Sequence, residues 1–324
     1  MKWITAILTS GLLLAGCGEQ THQVLSFTEP KVDGVKTQAD PAQPFTRVET
    51  EHFVILSQAG QPWNRSAGPT LESFHKEFKT SFQKWGVKLK EPTQKLTWLC
   101  FADYEGFDAY ARREDKIDSS WTSGYYSPRT NRVAVVDPDV RRTVRLAIAQ
   151  SSNDDKNANV AAAIGEFDIA RLRHEAAHQL AFNCGLQTRG VMYPFWLSEG
   201  LATNFEAESG ASTGDSIRAC RLLEIARRGD LMDLDDLIVL ARPKGNAAEI
   251  WSQYLQAWGL FRFLVQTRPG KMRQYLASLS RTRPGKRSES NLRREFRTAF
   301  GATDKIQAEW TRFAKSPESG RLLK

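Results

Sequence analysis

His174-Glu175-Ala176-Ala177-His178 puts two imidazoles four residues apart, so on a helix both point to one side and reach one metal ion. Further along, Trp196-Leu197-Ser198-Glu199-Gly200-Leu201-Ala202 offers the carboxylate of Glu199 from what reads as a second helix. Two neutral imidazoles and one carboxylate suit zinc, and three protein ligands with a fourth position left to water mark a catalytic site, whereas a structural zinc is closed by four. The chain has only 5 histidines in 324 residues, so this pairing is not readily put down to chance. Zinc held there would polarise a carbonyl and bring water toward deprotonation at neutral pH. Glu175, beside the first histidine, is the residue expected to take the proton and pass it to a leaving amine. The expected chemistry is hydrolysis of an amide.

These residues need a helix pair and a scaffold. The motif helix is expected from about Glu166 to Cys184, with Gly185 placed to stop it, and the Glu199 helix from about Leu197 to Glu208. Glu206, seven positions past Glu199, falls on the same face of that helix, either solvated or orienting a ligand histidine. Upstream, Val48–Leu56 reads as one strand, Leu71–Trp85 as a helix with an apolar stripe, and Leu96–Phe101 as a buried strand. Gly124–Ser127 and Arg132–Val136 read as a hairpin. Within it, Val133–Val136 is either a cleft edge able to hold an extended peptide or an internal strand. Gln150–Asn159 is polar and loop-like. Beyond the site, helical patterns dominate: 215–228, 233–241 (with Asp235 and Asp236 at its start), 249–266, 271–280, 291–300 and 303–313. Strands followed by helices indicate an α+β fold: a mixed sheet with helices to about residue 185, a mainly helical half after it, and the site in a cleft between them. Histidines 52 and 75 read as surface or core residues.

Composition is that of a globular protein, with 41% hydrophobic and 25% charged residues. The N-terminus is different. Met1-Lys2 and the apolar run Trp3–Ala15 form a signal-like segment that closes on Leu14-Ala15-Gly16-Cys17. That ending resembles the lipobox of bacterial lipoproteins, which implies cleavage before Cys17, lipidation of Cys17 and a membrane-tethered protein outside the cytoplasm. Gly18 in place of Asp is compatible with an outer membrane where the host has one. The expected organisation is a signal at 1–16, a tether at 17–45, a catalytic domain at 46–315 and a tail at 316–324. Cys100, Cys184 and Cys220 allow at most one disulfide and match no zinc ribbon. The net charge of +8 owes much to Arg281, Arg283, Lys286, Arg287, Arg293, Arg294 and Arg297. This is either a patch for an anionic surface or a solvated helix face. No nucleic-acid motif accompanies it, and no nucleic-acid partner is expected.

The motif set resembles the gluzincin metallopeptidases, and Trp196–Ala202 follows the W-L-x-E-G-x-A run of their aminopeptidase-like branch. It is most similar to an uncharacterised family of bacterial lipoproteins with a peptidase-MA-like gluzincin core. The segments that carry this likeness are His174–Leu180, Pro194–Ala202 and Tyr254 with Gln256-Ala257-Trp258. The resemblance implies a zincin-like fold, one zinc held by His174, His178 and Glu199, and a peptide or protein substrate. It also makes Tyr254 a candidate oxyanion donor; the alternative is a core tyrosine. Gly124-Tyr125-Tyr126-Ser127 lacks the acidic residue that would bind a free amino terminus, so endopeptidase is favoured over exopeptidase. Two other readings stay open: an inactive, binding-only envelope lipoprotein on a metalloprotease fold, and a cell-wall peptide amidase.

Overall fold

Short apolar runs along the first half of the chain assemble a mixed sheet. The computed structural model describes residues 44–119, 122–137, 157–207, 212–285 and 287–316. Strands β1 (Thr46–Glu49), β2 (Phe53–Ser57), β3 (Leu96–Phe101), β4 (Gly124–Ser127) and β5 (Arg132–Val136) form a 5-stranded sheet in the order β1-β2-β3-β5-β4. The β2–β3 and β3–β5 pairs are parallel and the two outer pairs antiparallel. The single strand expected over Val48–Leu56 is two. Thr50 turns the chain, its N–H donating to the Phe53 carbonyl at 3.0 Å while its hydroxyl accepts from the Phe53 N–H at 3.2 Å. A local side-chain bond of this kind competes with continued extension. Val133–Val136 lies in an internal strand, between β3 and β4; the edges of the sheet are β1 and β4.

Helices cover both faces. Helix α1 (Gln61–Lys84) lays Trp63, Ala67, Leu71, Phe74, Phe78 and Phe82 against one of them. It begins ten residues before the expected Leu71 because this stripe continues upstream of Pro69, and packing outweighs the proline. On the opposite face, α2 (Tyr104–Tyr110) and the π turn after it set Phe107, Tyr110 and Ala111 on Leu99, Phe101, Tyr125 and Val136.

The helical remainder comprises α3 (Asn157–Asn183), α4 (Phe195–Asn204), α5 (Ser212–Arg228), α6 (Leu234–Leu237), α7 (Ala247–Thr267), α8 (Pro269–Leu279), α9 (Glu289–Phe300) and α10 (Thr303–Ala314). The fold is therefore α+β, with an N-terminal mixed sheet and a mostly helical second part. Helix α3 starts earlier than expected and includes residues 157–159 of the polar stretch; residues 150–156 lie outside the described residues, as do Cys17, the signal segment and 317–324. Helix α6 is shorter than the pattern suggested, with Asp233 capping it through Asp235 N–H at 2.7 Å.

Cys100 and Cys184 are buried and Cys220 is exposed on α5, and none of the three is in a disulfide. Much of the basic C-terminal stretch is spent internally. Arg297 pairs with Asp235 and Arg293 with Glu289, both at 3.1 Å, while Arg287 pairs with Glu295 and donates to the Met192 carbonyl at 2.7 Å. No described helix is long and apolar enough to cross a membrane.

Candidate metal centre

Helix α3 carries polar residues that are buried, an arrangement a helix tolerates only when each finds a partner. Gln179 accepts from the Trp98 indole N–H at 2.9 Å and donates to the carbonyls of Thr97 and Asn131, both at 3.2 Å, so it fastens the helix to β3 and to the turn before β5. Arg173 donates to the carbonyls of Phe205 at 2.7 Å and Ala207 at 3.0 Å, and pairs with Glu77 on α1 at 2.7 Å. Gly185, in the left-handed region at φ +84°, ends the helical segment, with Leu186 N–H returning to the Ala181 carbonyl at 3.0 Å.

Helix α4 is buried from Phe195 to Thr203. Its position against α7 depends on Gly200, where an added Cβ would stand 2.4 Å from the Ala257 carbonyl oxygen and 2.9 Å from Phe261 Cβ. A residue with no side chain right after Glu199 lets the two backbones approach, and Glu199 is thereby set opposite α3.

The three expected ligands come together. His174 Nε2 and His178 Nε2 are 3.2 Å apart, and Glu199 reaches the former at 3.3 Å through Oε2 and the latter at 3.6 Å through Oε1. An ion bound tetrahedrally at zinc's usual distances keeps its donors about 3.3 Å apart. All three side chains are buried, and Glu199 Oε2 has no hydrogen-bond partner. Donor types, separations and the unpaired oxygen fit a zinc ion.

Around the ligands, Glu206 accepts from His174 Nδ1–H at 2.8 Å, fixing the tautomer that leaves Nε2 to face the metal. Its orienting role was one of the two expected, but it acts from the turn after α4, since the helix ends at Asn204. Phe205 holds this turn by packing among Phe74, Phe78 and Phe82, and Arg218 on α5 pairs with the second oxygen of Glu206. Burial opposes charge on His174, yet Glu199 and Glu206 outweigh it and raise its pKa to about 10; a cation binding there displaces a proton. The same imidazoles keep Glu199 well below the usual carboxylate range despite burial, and Arg218 does the same for Glu206.

Glu175 turns toward the edge strand. Its Oε2 accepts the Tyr126 backbone N–H at 2.8 Å, and its Oε1 is buried with no hydrogen-bond partner. Burial pushes its pKa up, outweighing His174, His178 and Arg171. The Tyr126 contact was not foreseen: a backbone donor from Gly124–Ser127 has no residue-type signal, although that segment drew notice for what it lacks. Tyr254 lies on α7, 7% exposed, its ring edge-on to Phe195 at 4.9 Å. Arg173, Gln179 and Arg218 were also missed as positioning residues, because their partners are distant in sequence.

The profile of a family described as a protein of unknown function (DUF1570) matches residues 168–286. That span holds all three candidate ligands, Glu175, Glu206 and Tyr254. No curated protein matches the chain.

Proposed function

We propose that this chain is a zinc-dependent peptidase of gluzincin type, zincin-like in fold and tethered outside the cytoplasm by lipid on Cys17. The observation that carries the reading is the buried donor triangle of His174, His178 and Glu199, with Glu175 beside it on the same helix. A mixed sheet whose antiparallel edge strand runs next to the motif helix supports the fold assignment. Zinc, when bound, supplies Lewis acidity toward a carbonyl and lowers the pKa of water.

The chain's own residues do the rest. Glu206 holds His174 in the tautomer that binds through Nε2. The Tyr126 N–H restrains one oxygen of Glu175, so Oε1 is the atom that receives a proton from water and delivers it to the leaving amine. Tyr254 is assigned the oxyanion, its phenol donating to charge that develops on the carbonyl oxygen. The substrate is a peptide or protein, cut internally.

The test compares wild type with Glu175→Gln. Wild type should carry one zinc at this centre and hydrolyse peptides from a broad library, while Glu175→Gln should keep the zinc and lose roughly 100-fold or more of the rate. Zinc-loaded wild type that cleaves nothing, indistinguishable from Glu175→Gln, overturns the peptidase reading. Cleavage-site profiling with the same pair then defines the sequence preference.

A further inference from the structure

Histidines 52 and 75, expected at the surface or in the core, meet. His52 precedes β2, His75 is on α1, and Glu91 is in the connection from α1 to β3; one donor atom from each lies within 4.8 Å of the other two. The imidazoles stack at 3.9 Å between centroids with 27° between planes. His75 is 4% exposed, and its Nε2 is buried with no hydrogen-bond partner. His52 is oriented from behind: Glu72 accepts its Nδ1–H at 2.7 Å and its backbone N–H at 2.8 Å. That leaves Nε2 of His52 for another partner. Glu206 holds His174 in the same way at the first centre, at 2.8 Å. Pinning one ring nitrogen with a carboxylate is the usual support of a ligating imidazole.

We propose that His52, His75 and Glu91 form a second metal site, taking a borderline divalent ion such as zinc, which staples α1, β2 and the α1–β3 connection together. Charge favours a cation: Glu51 (3.8 Å from His52 Nε2), Glu72 and Glu91 bring three carboxylates to the cluster, the last of them paired with Lys79. Two imidazoles and a carboxylate select zinc over magnesium or calcium. Donors now within 4.8 Å must close to about 3.3 Å around a tetrahedral ion, a shift of roughly 1.5 Å at most, and the stacked rings must turn so that each nitrogen lone pair, which lies in its ring plane, points at the ion. Lys79 must give up or share Glu91, which is exposed and has a second oxygen. Glu51, 3.8 Å from His52 Nε2, can supply the fourth donor that closes a structural zinc site, and the role proposed is to hold the three segments together.

The experiment is zinc stoichiometry of the full chain, stripped with chelator and dialysed against buffered zinc chloride. Wild type should hold two zinc ions per chain. Glu91→Gln and His52→Gln should each hold one, as should His178→Ala at the first centre, and His52→Gln combined with His178→Ala should hold none. Affinity at the second site should fall by more than the roughly 10- to 100-fold that loss of an outer-shell partner costs when a ligand itself is lost. Melting in chelator controls for folding: Glu91→Gln, altered at an exposed side chain, should match wild type there but lose the zinc-dependent rise in Tm that His178→Ala retains. One zinc in wild type that neither Glu91→Gln nor His52→Gln changes overturns the proposal. So does a second zinc that survives both substitutions. A single zinc in wild type that His52→Gln removes and His178→Ala leaves in place would count against the first centre and leave the second standing.

Discussion

The close approach of α4 and α7 at Gly200 gives a sharp test of how Glu199 is positioned. In Gly200→Ala the new methyl would lie 2.4 Å from the Ala257 carbonyl oxygen and 3.0 Å from its carbon. Ordinary contact needs about 3.4 Å or more, so the helices must part by roughly 1 Å. The obstructing atoms are backbone and cannot rotate away, so the cost belongs at the upper end of overpacking, about 3 kcal/mol. Replacing glycine in a helix returns about 1 kcal/mol. The net loss is about 2 kcal/mol, which for a chain of this size lowers Tm by roughly 3 °C. Moving α4 also pulls Glu199 from its 3.3 and 3.6 Å contacts, and zinc affinity should drop on the order of 10-fold. Thermal melting in chelator and zinc competition titration read the two effects separately. Trimming Phe261 in the same background should not rescue either, because the Ala257 carbonyl still obstructs. A Gly200→Ala protein with wild-type Tm and wild-type zinc affinity would refute the packing argument.

Three further outcomes follow from buried polar contacts. Glu206→Gln keeps the shape of the side chain but weakens its bond to His174 and its pairing with Arg218, so zinc affinity should fall about 10- to 100-fold; an unchanged zinc titration would deny it the orienting role. Gln179→Leu leaves the Trp98 N–H and two carbonyls without their partner and should cost about 3 kcal/mol in urea unfolding. Combined with Trp98→Phe, the loss should be less than additive; strict additivity would mean that the two side chains do not interact. Asp115 is buried beneath Tyr125 and Thr130, which donate to it at 2.8 and 2.7 Å, and burial raises its pKa above the ordinary value. A folded-state pKa above the unfolded one gives stability that is complete below the unfolded value of 3.8 and lost as pH rises through the folded value. The stability of Asp115→Asn relative to wild type should therefore increase across that window and then level off; a difference constant with pH would refute the shift.

What could be read from the sequence divides along physical lines. The ligands were legible because a metal imposes both residue type and spacing: an imidazole pair one turn apart and a carboxylate in an apolar helix have few other uses. The helical half was legible because its apolar stripes repeat over long segments. The strand over Val48–Leu56 was misjudged because a threonine can turn the chain by a side-chain bond that composition does not reveal. The position of β4 and β5 could not be settled either, since edge and internal strands of this length share the same apolar character, and pairing is a long-range property.

The residues that position the site were the least legible, and for one reason. Glu206 contacts His174 from across a helix–turn, Arg218 contacts Glu206 from another helix, and Gln179 spans to a strand far upstream. Only Glu206 carried a local pattern, seven positions past Glu199; the other two carried none, because a hydrogen bond between distant segments asks only that each side chain be polar and in the right place. The pairing of His52 with His75 belongs to the same class. Each histidine alone is an unremarkable residue at a strand start or on a helix, and only the docking of α1 on β2 brings their rings to 3.9 Å. Burial then changes the argument. An exposed imidazole needs no partner, whereas the enclosed Nε2 of His75 has surrendered its water and gained no hydrogen bond in return. A cation bound between His52, His75 and Glu91 would satisfy that nitrogen, just as one at the first centre would satisfy Glu199 Oε2.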